Sequence, residues 1–409
     1  MALGEMARTC LYGVRRWATV LAAALCIVCV GLAASATAEG RPLALAPKDH
    51  VVHLFAPLQR GPLPTSAQLR RIANRFQLVV ATPPRMRRAA ATMKHANPRV
   101  RLFVYENGTH STPNDPGFPP SWYLYSQDGE RLETRGLQGN FLMNPLSTAP
   151  FTSGGFTYRG WTSYLIRTCR LDMVRFVSGC SLDTMGTAPL SPTYNRCNCV
   201  PIDPRTGRPF TPARYVRMTG HMAATVHAAI SAPVLVNGLG GGRSFYGKDN
   251  RLLTRYAQGA QAQEWLAHKT WGQNVNLMLD TQAAGCVVLV DYKARAHVGR
   301  ERMFSLTTFL LADNGRAYLD FSAGHHQGWE IWSPLYQINL GAPLVTRARV
   351  ARYLSSGVYQ RAFVHGKVIV NPSGSPRVVR FLHPWRTLGG RVVRSVTLNP
   401  RGGALLRRP

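Results

Sequence analysis

The chain has 409 residues, with 49 Lys or Arg against 19 Asp or Glu and a formal net charge of +30. Such an excess of positive charge points first to nucleic acid, but only six of the basic residues are lysine and the arginines are scattered. No helix-turn-helix, finger or basic-aromatic stripe accompanies them, which argues against dedicated nucleic-acid binding and leaves a non-specific, salt-dependent attraction to anionic cell-surface polymers.

Residues 1–38 read as a secretory signal peptide. Arg8, Arg15 and Arg16 precede an uninterrupted apolar stretch, and Ala36-Thr37-Ala38 supplies the small-x-small cleavage site. The competing reading is an uncleaved anchor, because the apolar stretch is near the lower limit for spanning a bilayer. Cleavage after Ala38 implies a secreted or cell-envelope protein with no membrane segment. The remaining chain of about 370 residues suits a barrel of roughly 250 residues plus a smaller unit. Five cysteines follow the signal, Cys169, Cys180, Cys197, Cys199 and Cys286, an odd number in an exported chain. Cys197 and Cys199 are a poor zinc signal without a second pair, and a bridge pinning the 187–200 loop is expected instead, its partner unreadable.

In chain order, apolar strand-like runs alternate with helix-like segments, the pattern of a parallel α/β fold. Strands are expected at 51–55, 76–80 and 100–105. A Pro-, Gly- and aromatic-rich insertion, 107–158, follows, with a short strand at 141–143. Helix 161–173 leads to a strand ending in GCSLD, helix 213–230 to PVLVN and the turn GLGGG, then the weaker GAQAQE. Helix 271–280 gives CVVLV, and helix 299–312 gives AYL. Eight strands by about residue 320 match the closure number of a (β/α)8 TIM barrel. An open doubly wound sheet is disfavoured because no Gly-rich phosphate loop follows the first strand. From residue 336 the pattern becomes short strands with turns and no helix, an all-β tail. The expected division is therefore a signal peptide at 1–38, a catalytic barrel at 46–335 and a C-terminal β-domain at 336–409.

Five acids fall at strand C-terminal ends: Glu106, Asp183, Glu264, Asp291 and Asp320. In a TIM barrel those ends form one face, where active sites are built. Convergent carboxylates suit glycoside hydrolysis, which needs one carboxyl to protonate the leaving oxygen and another to attack the anomeric carbon or activate water. Asp183 and Glu264 are the expected catalytic pair. Glu106, Asn237, Asp291, Lys293 and Asp320 are expected substrate contacts. Trp122, Trp265 and Trp329 are expected platforms for sugar faces, and His326 a loop contact. No metal or cofactor is expected, since His325, His326, Asp320 and Asp291 alone come near a ligand set. Asn107-Gly108-Thr109 matches a glycosylation sequon, but Asn-Gly equally marks a turn.

The residues GCSLDTMG (179–186), AQEW (262–265) and the late INLGAP, YQRAFVHGKVIVNPS, VTLNP and GGALL stretches resemble the glycoside-hydrolase-like TIM-barrel proteins of bacteria, related to the α-galactosidase and endo-polygalactosaminidase-like barrels. The resemblance covers roughly 50–405 and is most specific in the tail. It implies a (β/α)8 barrel with a C-terminal β-domain, an Asp after the fourth strand as nucleophile and an acid after the sixth as acid/base, matching Asp183 and Glu264. Relatives often carry a second acid beside the fourth-strand Asp, where Thr184 stands here. The function expected is a secreted hydrolase acting on a carbohydrate by a two-carboxylate retaining mechanism. A non-catalytic carbohydrate- or wall-binding barrel is the alternative.

Overall fold

Side chains at alternate positions of several strands meet in one small cluster, Phe55, Leu78, Val80, Phe103, Leu235, Val287, Leu289 and Tyr318. Period-two residues from chain-distant strands converge like this when a sheet curls around its own inner face. The computed structural model describes residues 52–173, 175–240, 248–267 and 270–409. The expected signal peptide, Val51 and the end of the GLGGG turn lie outside the described residues.

The sheet is parallel, eight-stranded and ordered as the chain runs: β1 (Phe55–Leu58), β2 (Leu78–Ala81), β3 (Arg101–Asn107), β4 (Gly179–Asp183), β5 (Val234–Gly240), β6 (Gly259–Ala262), β7 (Val287–Ala294) and β8 (Ala317–Ala323). The two edges meet where Leu54 bridges Leu319 and the Leu319 N–H donates to the His53 carbonyl at 2.9 Å. The chain is a (β/α)8 barrel, nearly closed. Gly179 and Gly259 open their strands facing inward, where a Cβ would meet Phe103 and Leu235 respectively at 2.7 Å. The small residues let the large ones fill a narrow interior.

Helices α1 (Ser66–Arg75), α2 (Pro83–Ala96), α3 (Gly160–Asp172), α4 (Pro212–Ile230), α5 (Trp271–Ala283) and α6 (Val298–Ala312) surround the sheet. Two of them open with capping boxes, Thr65 with Gln68 and Thr270 with Gln273, which satisfy otherwise orphaned backbone N–H groups. Strand residues of outward parity, such as Ala56, Val79, Leu102 and Val104, join the helices in the main core. Cys169 of α3 is bridged to Cys180 of β4, and Cys197 to Cys199, while Cys286 is free and buried. The 197–199 bridge is thus a local loop within the segment it was expected to pin.

After the barrel, a six-stranded antiparallel sheet forms from β9 (Leu354–Ser355), β10 (Val358–Ala362), β11 (Gly366–Asn371), β12 (Arg377–Thr387), β13 (Val392–Leu398) and β14 (Gly402–Arg407). Arg361 of β10 is buried under it and reaches α6, whose C-terminal carbonyls lack intrahelical partners. Its guanidinium donates to the carbonyls of Leu310 (3.0 Å), Leu311 (3.1 Å) and Asp313 (2.6 Å), and to Asn314 Oδ1 (2.8 Å). No helix of the described residues is long and apolar enough to cross a membrane.

Candidate active site

Asp183 ends β4 with its carboxyl held on both oxygens. The Tyr105 hydroxyl donates to Oδ2 at 2.6 Å, while Asn237 Nδ2 (2.6 Å) and the Thr184 N–H (2.8 Å) donate to Oδ1. These partners come from β3, β5 and the turn after β4, so the barrel itself orients the group. Burial and the Asp183 charge push the Tyr105 phenol far above its ordinary range, which keeps it a donor. Tyr194, from the loop after β4, has its hydroxyl raised to about 12 by burial and then by Asp183. Thr184 sits at φ 60°, a left-handed conformation unusual for a β-branched residue, and its neighbour Met185 is tied to β5 by an N–H bond to the Asn237 carbonyl at 2.7 Å.

The same Asn237 amide donates to Gln263 Oε1 at 3.0 Å, carrying the network to the turn after β6. Glu264 lies in this turn, exposed, two residues past the strand end rather than at its tip, with φ 53°. Its N–H donates to Asp291 Oδ1 at 2.9 Å and the next N–H, of Trp265, donates to the Asp291 carbonyl at 2.8 Å. The turn is therefore clipped to β7. Burial pushes the Asp291 carboxyl up to about 7, against the opposing effect of the Glu264 N–H. Asp291 pairs in register with Asp320 of β8, which is buried with Oδ1 unpartnered. Burial, then the Asp291 charge, raises the Asp320 pKa well above the carboxylate range.

The barrel rim thus gathers Asp183, Asn237, Asp291 and Asp320, with Glu264 in the turn beside them. Other expected contacts lie elsewhere. Glu106 has outward parity, opposite to Tyr105, and its side chain meets Asp172 of α3. Burial and that second carboxyl drive its pKa up. Trp122 is fully buried, stacked on Phe118 at 5.0 Å, with its indole N–H on the Ala149 carbonyl, so it is core of the insertion and not a sugar platform. Trp265 is likewise buried, donating to the Asn274 carbonyl at 3.1 Å. Trp329 is half-buried, packed against the main core. His326 is exposed, 3.9 Å from Glu330, and Lys293 is exposed two residues beyond Asp291.

Tyr105, Tyr194 and Gln263 were not singled out in the sequence. The signal for Tyr105 was its parity: it lies two residues from Phe103, on the inward face.

A (β/α)8 barrel with carboxyl groups on its C-terminal rim has the architecture of a glycoside-hydrolase-like protein. The profile described as hypothetical glycosyl hydrolase family 15 matches residues 94–367, and the chain belongs to that family. A search among curated proteins finds no match. Among solved structures, the chain is similar to a cycloisomaltooligosaccharide glucanotransferase from Paenibacillus sp., at 9% identity over 87% of this chain and 55% of that one, TM-score 0.40. It spans about half the length of that protein. It is also similar to a γ-CGTase from alkalophilic Bacillus clarkii, at 10% identity over 90% of this chain and 71% of that one, TM-score 0.45. An α-N-acetylgalactosaminidase from Bifidobacterium bifidum matches at 9% identity over 78% of this chain and 56% of that one, TM-score 0.45.

Proposed function

We propose that this protein is a secreted glycoside hydrolase that cleaves a glycosidic bond in a polysaccharide or glycoconjugate with retention of configuration. Asp183 is the nucleophile and Glu264 the acid/base. The observation that supports this most is the triple hold on Asp183 by Tyr105, Asn237 and the Thr184 N–H at the barrel rim. A nucleophilic carboxylate must present one oxygen to the anomeric carbon along a fixed line, and donors on neighbouring strands supply that orientation without movement. Glu264, on an exposed turn clipped to Asp291, protonates the leaving oxygen in this reading and then activates water. The rim also offers Asn237 and Asp291 for hydroxyl contacts. The cysteine bridges and the amino-terminal segment are the support for export.

The test is a screen of the protein against bacterial wall and other polysaccharides with product analysis, followed by Asp183→Asn and Glu264→Gln. Each substitution is expected to lower kcat by about a thousandfold or more while the fold persists. Unchanged turnover in both variants overturns the assignment. Glycan binding without any turnover in the wild type supports the binding-barrel alternative.

A further inference from the structure

A cavity of about 340 Å³ opens beside the rim, between the ends of β7 and α6 and the turn that precedes β14. Lys293, Arg295, Arg300 and Arg401 line it, and the sole acid in its wall is Glu301. That carboxyl is already engaged: Oε2 accepts from the Tyr292 hydroxyl (2.9 Å) and the Arg295 N–H (3.1 Å), and Oε1 accepts from the Ala296 N–H (2.8 Å). Among the described residues none of the four cations forms an ion pair. Arg401 instead lies over the Phe304 ring, 5.1 Å from the centroid. Arg300 lies in the first turn of the 15-residue helix α6, where the helix dipole disfavours a cation and favours an anion.

Four positive side chains are thus gathered around one concavity at a positive helix end, in an arrangement whose self-repulsion an anionic group offsets. Its position ties it to the rim. Lys293 follows Asp291 by two residues on the same face of β7. Ala267, in the cavity wall, donates its N–H to the Glu264 carbonyl at 3.0 Å.

We infer that this cavity is a subsite for an acidic sugar unit, so that the substrate is an anionic glycan bearing carboxylate, sulfate or phosphate groups next to the bond that is cleaved. The inference rests on the hydrolase reading for its location and on the four cations for its chemistry. Arg295 and Arg300 supply forked donors that match planar and tetrahedral oxyanions.

The experiment is calorimetric titration of the full-length protein at about 0.15 M salt, where diffuse surface attraction is screened. The probes are a galacturonate hexamer, a sulfated galactan hexamer, a glycerol-phosphate hexamer and neutral maltohexaose. At least one anionic probe is expected to bind about tenfold or more tighter than the neutral one, and the best of the three identifies the acidic group. Arg295→Gln with Arg300→Gln is expected to reduce that preference to within about twofold. Arg377→Gln with Arg380→Gln, two exposed arginines of β12, removes the same net charge and is expected to preserve it. Equal binding of neutral and anionic probes, or equal loss in both double variants, overturns the inference. The readout is binding, so inert Asp183 and Glu264 substitutions would sink the catalytic reading alone, and wild-type turnover confined to a neutral glycan would sink only the acidic subsite.

Discussion

Asn237 and Asp183, 54 residues apart in sequence, are joined across adjacent barrel strands by a 2.6 Å hydrogen bond. The Asn237 amide also reaches Gln263, so one side chain spans the ends of three consecutive strands. Asn237→Ala removes the bridge and leaves the Asp183 carboxyl held by Tyr105 and Thr184. On the proposed reading, turnover is expected to fall by about 10- to 100-fold, chiefly in kcat, because the Asp183 carboxyl loses orientation more than the substrate loses contacts. Steady-state kinetics beside a melting curve checks this, and a change confined to KM would contradict it.

Asp291 gives a pH prediction. Its folded pKa, near 7, is above the unfolded value of about 4. Stability from this group is therefore complete below pH 4 and is lost as pH rises to about 7, because the unfolded chain ionises first. Asp291→Asn should flatten this decline. Denaturant unfolding at pH 4.5 and pH 7.5 is expected to show the variant gaining on the wild type by on the order of 1 kcal/mol at the higher pH. Parallel curves for the two proteins would show that the carboxyl is ionised throughout.

Glu264 occupies a left-handed backbone conformation, which costs a non-glycine residue on the order of 1 kcal/mol. Glu264→Gly is expected to match or exceed the wild type in stability while losing hydrolysis. Guanidinium unfolding together with an activity assay separates the two effects, and a large loss of stability would show that the side chain is structural.

Trp122 makes the opposite case. With its ring in the aromatic core of the insertion, Trp122→Ala is expected to cost about 3–5 kcal/mol of stability. Any protein that remains folded should keep an unaltered KM. A selective rise in KM with normal stability would restore the sugar-platform role.

The helices and most of the strands were legible because each is a short apolar run bounded by turn residues, with a helical stretch between. The prediction for helix 213–230 differs from α4 by one residue. Inward and outward parity was harder. Tyr105 and Glu106 are adjacent, so one residue of parity decides between them: Tyr105 shares the inward side with Phe103, whereas Glu106 pairs with Leu182, whose side chain lies in the outer core. Tryptophan is ambiguous for a related reason. Its indole N–H can be satisfied by a backbone carbonyl, as Ala149 does for Trp122, so proximity to a rim loop does not imply exposure. Glu264 was readable as an acid near the end of β6, but the two-residue overhang that exposes it depends on the turn being clipped to Asp291.

The burial of Arg361 between the carboxy-terminal sheet and the end of α6 has a practical consequence. A truncated barrel ending near residue 340 would leave the last carbonyls of α6 bare and would uncover the helix face on which β11 and β14 rest. Dissecting this chain into its barrel and its carboxy-terminal sheet is accordingly expected to yield an insoluble fragment, and any swapping of the carboxy-terminal module must carry a guanidinium at the same place.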